Sequence, residues 1–406
     1  MNSKPAPSLA RLLNAPHRLL FFIGASNVLL AMAWWSAWLA GARWGVPATP
    51  QPTQPPGWLH AFVMQYQMLP SFIFGFLLTT FPKWTGLREF ERWRYAPVGI
   101  GLFGGQLATL LGAVGWDAGL VVGFLMTLAG WAAGLATLAP VLWREAGTTW
   151  HARSCFAALL LGFIGLLAWG AYLLGLASPA WVMASIKLGT FGLLLPVYFS
   201  VAHRMFPFFA GNAVPGYRPW RPLWLLAVAW PLLLAHLALE LVHAYAWLWL
   251  ADLPLLALTL AMLLRWWPRG RKPALLTTLF AGFAWLPAAF ALYVAQSLIL
   301  LSTGQFLLGR GPAHAVFVGF FGTLLVAMVT RVTQGHSGRP LVMPRVALYA
   351  FVAINVTAVL RIAADIAPDT LGWQAASAVA WLLALAPWIA NIGRIYLSPR
   401  ADGRPG

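Results

Sequence analysis

Apolar residues run along this chain in blocks and not in alternation. Twelve blocks, at about 19–41, 58–81, 96–115, 118–142, 155–176, 180–201, 222–243, 245–265, 274–300, 312–330, 346–366 and 371–396, are separated by short stretches rich in Arg, Pro and Gly. Each block is long enough to cross the ~30 Å hydrocarbon core as an α-helix, which takes about 20 residues. Strands of an outer-membrane barrel would alternate apolar and polar positions over about ten residues. The pattern therefore predicts an all-α, polytopic transmembrane bundle of about 12 helices. Residues 1–406 form a single transmembrane domain on this reading, with tails at 1–18 and 397–406. The longer connections, 42–57 and 202–221, are Pro-rich and too short for an extramembrane domain.

Composition agrees. Of 406 residues 61% are hydrophobic and only 9% are charged, against about 25% charged in a soluble domain. Lys4, Arg11 and Arg18 ahead of the first block imitate a signal peptide. The apolar run is too long for an h-region of about 7–15 residues, so an uncleaved helix is expected.

The net charge of +17 would suggest nucleic acid in a soluble protein. Here the basic residues sort by side. The N-terminus, the loops after the even-numbered blocks and the C-terminus carry 22 of the 26 Lys and Arg. Arg43, Arg310 and Arg361 fall on the other side, and Lys187 sits inside a block. Positive residues stay cytoplasmic. Both termini are thus expected inside, in a bacterial cytoplasmic (inner) membrane, with the lipid bilayer and no nucleic acid as partner. The single cysteine, Cys155, excludes an intramolecular disulfide, a Cys-x-x-Cys zinc site and the covalent attachment of a c-type haem.

Ionisable groups inside lipid are costly unless paired or ligated, so they hold most of the functional information. His60 opens the second block and His314 the tenth, both on the outer side. His236, Glu240 and His243 follow at i, i+4 and i+7 and read as one helix face. Imidazole suits iron, copper and zinc, which makes His60 and His314 the first-choice ligands. His236 and His243 come second, with Glu240 orienting an imidazole. Met64, one turn from His60, is a candidate soft ligand for Cu(I). On the inner side, His203, His336 and His17 form a second candidate group. There Arg204, Arg331 and Arg339 are positioned to hold propionates or other anions, or to stabilise the loop. For each histidine the alternative is a hydrogen bond to a carbonyl or water, and for the arginines ordinary positive-inside charge. No Walker A, Gly-x-Ser-x-Gly, His-Glu-x-x-His or dinucleotide motif occurs, and no catalytic residue is assigned.

Pro16-His17-Arg18, Leu59-His60-Ala61, Phe76-Leu77-Leu78-Thr79, Pro82-Lys83-Trp84-Thr85-Gly86, Arg204 through Phe209, His314, and Arg331 through Leu341 together resemble the NnrS family. The Gly-His-Ser-Gly-Arg-Pro-Leu loop at 335–341 is the most specific. The resemblance implies a twelve-helix inner-membrane protein containing haem and copper, associated with the bacterial response to nitric oxide, nitrosative stress and denitrification. Better-known members resemble Trp-His-Ala-His-Glu-Met at the start of the second helix, whereas this chain reads Leu59-His60-Ala61-Phe62-Val63-Met64. The second His and the Glu are absent, which marks a divergent branch. Whether the chain is an enzyme stays open. The alternative function is a secondary transporter, because twelve helices with both ends inside is also a carrier plan and His, Glu and Lys187 could relay protons.

Overall fold

The structure is a computed structural model that describes residues 7–144 and 149–403. Lys4 and Arg404, counted above with the basic residues of one side, lie outside the described residues. Among the described residues there are helices and no strands. Twelve of the helical segments are long and apolar enough to cross a membrane: α1 (Pro16–Trp44), α2 (Pro56–Thr85), α3 (Arg92–Ala113), α4 (Ala118–Arg144), α5 (Trp150–Leu173), α6 (Ala180–Ala213), α7 (Trp224–Leu241), α8 (Trp249–Trp266), α9 (Ala274–Thr303), α10 (Gly311–His336), α11 (Arg345–Ala363) and α12 (Thr370–Leu397). The chain is a multi-pass membrane protein. Its ends meet on one face, where the Ser8 amide donates to the Leu397 carbonyl at 3.0 Å. We call this the terminal face.

Packing repeats every four helices. α1 lies on α2, α5 on α6, and α9 on α10. The pairs α3–α4, α7–α8 and α11–α12 correspond in the same way, and so do the junctions α4–α5, α8–α9 and α12–α1. Three four-helix units thus close into a ring, each donating its second helix to the middle. Burial agrees, at 83%, 67% and 78% for the apolar windows of α2, α6 and α10 against 33–61% for the other nine. Small residues permit the closest of the pairings. At Gly101, in α3, a Cβ would strike the Gly130 backbone of α4. Such small-residue contacts replace the hydrophobic drive that lipid does not supply.

The three inner helices share a second feature. Each contains a π segment, at Val63–Met68, Leu188–Leu194 and Ala315–Gly322. A π turn inserts an extra residue and disturbs the i→i+4 ladder, and such turns are frequent at functional sites. In lipid the disturbed groups need other partners. The Tyr66 carbonyl accepts from the Trp131 indole at 2.9 Å, and the Gln67 carbonyl from the Ser71 hydroxyl at 2.7 Å. The α2 and α6 segments also hold each other. Gln65 Nε2 donates to Thr190 Oγ1 at 3.1 Å and Tyr66 Oη to the Ser185 carbonyl at 2.6 Å. A Cβ at Gly189 would displace the Gln65 amide from that crossing.

Candidate functional site

A cavity of about 960 Å³ lies among the inner helices, on the side of the π segments remote from the terminal face. That is at the upper end of the ~300–1,000 Å³ typical of small-molecule sites. His60, Met64, Lys187, Glu240, Arg310, His314 and Arg361 all line it. Residues far apart in the chain converge here because each inner helix begins near this face.

His60 sits in the first turns of α2, which starts at Pro56, a residue whose missing N–H costs nothing at a helix start. Its ring stacks on Trp35 at 4.4 Å and 10°, and its Nδ1 is buried without a hydrogen-bond partner. His314 closes the first turn of α10, immediately before the π segment. Its Nδ1 lies 2.9 Å from the Arg310 carbonyl. A carbonyl only accepts, so Nδ1 carries the hydrogen and neutral His314 keeps its lone pair on Nε2. Metal-ligating histidines characteristically donate their other ring N–H in this way. The two imidazoles line the same cavity. Met64 shares the wall with His60, one turn further along α2.

A chain of charged groups, half-buried at Lys187 and Glu240 and buried at His236 and Asp252, runs away from the cavity. Lys187 Nζ stands 2.9 Å from Glu240 Oε2 and 3.2 Å from Tyr245 Oη. Glu240 Oε1 is 3.6 Å from His236 Nε2, and His236 Nδ1 is 2.6 Å from Asp252 Oδ1. Phe191 stacks on the His236 ring at 3.6 Å and Tyr293 meets it edge-on at 4.9 Å. His236 is thus enclosed behind the cavity wall and not presented to it. The sequence pattern does not single out Asp252, its tight partner, nor Lys187's bond to Glu240 or the flanking Tyr293. The one available signal is an acid in the first turn of an apolar span.

Two expectations fail here. α7 ends at Leu241, and His243 lies beyond it, exposed, at φ 56° and 3.1 Å from Tyr245 Oη. The helix face expected to run from His236 through Glu240 to His243 stops at Glu240. The expected inner site of His203 with His336 is also absent. His203 Nδ1 meets His151 Nε2 at 2.8 Å, and its Nε2 meets the Pro222 carbonyl at 3.1 Å. Both of its ring nitrogens are therefore engaged. His151 was not among the candidates. His336 pairs instead with His17, at 4.3 Å between ring centroids.

The arginines of the terminal face have local partners. Arg204 lies over Trp84 at 4.6 Å and Arg331 over Phe209 at 3.9 Å. Arg339 donates its backbone N–H to the Gln334 carbonyl at 3.0 Å, while its Nη1 is buried without a partner. None of the three lines the large cavity. Arg310 and Arg361 do, and Arg361 is paired with Asp365 at 3.0 Å. Among the described residues no three His, Cys, Asp or Glu side chains gather closely enough to hold a metal ion by themselves.

Fold and site together define a polytopic helical membrane protein whose inner helices enclose a cavity lined by histidine and cationic side chains. A family model described as NnrS protein matches residues 11–400. The chain belongs to the NnrS family, and its reading as an NnrS-type protein, a family linked to the nitric-oxide response, follows. No curated protein matches it.

Proposed function

We propose that this chain is a haem- and copper-binding protein of the bacterial inner membrane that contributes to resistance against nitric oxide, with its termini in the cytoplasm. The observation that carries the reading is the state of the two cavity histidines. His314 has Nδ1 tied to the Arg310 carbonyl, leaving Nε2 as a ligand, and His60 has a buried Nδ1 with no partner. A buried polar atom left unpaired costs about 1–3 kcal/mol. A metal ion or cofactor offers the missing partner.

The donor set fits both groups. His314 would hold a non-covalently bound haem through Nε2, and Arg310 and Arg361 on the same wall would suit its carboxylates. His60 with Met64 offers an imidazole and a thioether, a pair that suits Cu(I). When bound, haem iron supplies a coordination position for a small diatomic ligand and copper a one-electron couple. The protein's own residues would hold these groups, and the Arg310 carbonyl fixes the His314 tautomer.

The test is single alanine substitution followed by the visible spectrum and by iron and copper per protein. His314→Ala should lose the Soret band and His60→Ala should lose copper. Full haem and copper in both variants would overturn the assignment. A second reading, a secondary transporter, is favoured by the Lys187–Glu240–His236–Asp252 chain, which leads from the cavity wall to a buried pair, since intramembrane ionisable groups mark ion pathways. Purified protein with neither a Soret band nor copper would select it.

A further inference from the structure

Between the large cavity and the terminal face the three inner helices stand apart around a second, smaller space of about 70 Å³. Its walls follow a register. Ten residues beyond the start of the three π segments, α2, α6 and α10 supply Ile73, Tyr198 and Leu325; thirteen residues beyond, they supply Phe76, Val201 and Met328. The same step of each repeated unit therefore faces one axial cleft. Apart from the Tyr198 hydroxyl and the Met328 sulfur, every lining side chain is hydrocarbon.

Three observations select an occupant. The first is size. One water-sized probe needs about 10–15 Å³, so the cleft admits a few atoms and excludes an aromatic ring. The second is polarity. Cavities lined by apolar side chains stay dry and take apolar guests such as xenon. The third is continuity. Leu325 lines both the cleft and the large cavity, so a guest in the cleft is one side chain from the space that holds His60 and His314. Of the lining side chains Phe76, Tyr198, Val201, Met328 and Val332 are half-buried and the others are buried.

We propose that this cleft is a binding site for a small, uncharged, weakly polar diatomic gas, held on the approach to the large cavity. Leu325 is the side chain that separates the two. That the physiological gas is nitric oxide rests on the proposed function; occupancy by an apolar guest does not.

Xenon is the probe. The full-length protein is pressurised with xenon and the bound gas located by diffraction, with ¹²⁹Xe NMR in nanodiscs as a solution measurement. Xenon should appear between Val201 and Leu325. Val201→Phe and Ala202→Leu, which fill the cleft from α6, should remove it while leaving the haem and copper content unchanged. Xenon absent from the wild-type cleft, a lipid tail in its place, or a xenon signal that survives both substitutions overturns the site. The two readings fail separately. Xenon without a Soret band would sink the haem assignment and keep the cleft, and a Soret band without xenon would do the reverse.

Discussion

Lys187 and His314 occupy the same place in two repeated units: each is the last residue before the π segment of its inner helix, and each lines the large cavity. The register continues to the terminal face, where Arg204 and Arg331 each lie sixteen residues beyond the start of those segments. Each of these arginines rests on an aromatic ring. What differs is the chemistry at the cavity. His314 keeps an open ring nitrogen, whereas Lys187 is neutralised by Glu240 at 2.9 Å.

The extra residue of the π segment decides where His314 points. Removing one residue, Val316, should restore α-helical phase and turn everything before it by about 100° relative to the rest of α10. His314 would then leave the cavity wall. The deletion should abolish the His314-dependent part of the spectrum while helicity by circular dichroism stays near that of the wild type. A deletion protein with an unaltered spectrum would show that the π segment does not aim this side chain.

The helix count was legible because run length alone decides it: about 20 apolar residues cross the core whatever their order. The repeat was not. His60-Ala61 and His314-Ala315 look alike in sequence, yet the position equivalent to His314 in α6 is Lys187, which shares no side-chain chemistry with it. Nor do the π segments announce themselves, since residues buried on all sides have no apolar period to interrupt. His243 was misread for a related reason. Spacing can put a residue on a helix face only while the helix lasts, and the chain leaves α7 at Leu241. Sidedness puts His17, His203 and His336 on one face, but which rings meet, in the pairs His17–His336 and His151–His203, joins distant parts of the chain, and one sequence contains no signal for that choice.

Sidedness can be checked with reporter fusions. The first residue of α3, Arg92, and the residue before α10, Arg310, are separated by an odd number of spans. A fusion after residue 92 should report the cytoplasm and one after residue 310 the periplasm. The same compartment for both would contradict twelve spans, and exchanged compartments would invert the proposed orientation.

Arg43 and Asp369 join the ends of α1 and α12 away from the terminal face, with Nε donating to Oδ1 at 2.8 Å. The hydrogen bond from Arg43 holds the Asp369 carboxyl below its ordinary value of 3.8. A depressed carboxyl contributes stability that is present above the unfolded value and is lost as pH falls through the folded one. Both side chains are more than 40% exposed, so the contribution is small and screened by salt. The difference in melting temperature between wild type and Asp369→Asn should be constant from pH 7 to about pH 5 and vanish below the folded value. A difference that grows on acidification would reverse the sign and reject the pairing.

The His236–Asp252 pair is the most enclosed polar contact of the α7–α8 hairpin, with both side chains fully buried. Breaking such a pair from one side strands the other group in a medium that cannot solvate it and costs about 3–5 kcal/mol. Asp252→Ala should therefore lower the unfolding free energy in mixed micelles by that order. Replacing both partners by hydrocarbon removes the stranded group, so His236→Leu with Asp252→Leu should cost much less than the two single changes added together. The ring of Phe191, stacked on His236 at 3.6 Å, supplies an apolar neighbour for the methyl groups that the first of these changes introduces. Lys187 and Glu240 remain paired in the double variant, and the haem and copper content should follow the wild type. If the double variant is as unstable as the sum of the singles, the pair is not an isolated unit. Its energy would then be shared with Glu240 and Lys187, and Glu240→Gln should destabilise the protein as much as Asp252→Ala does.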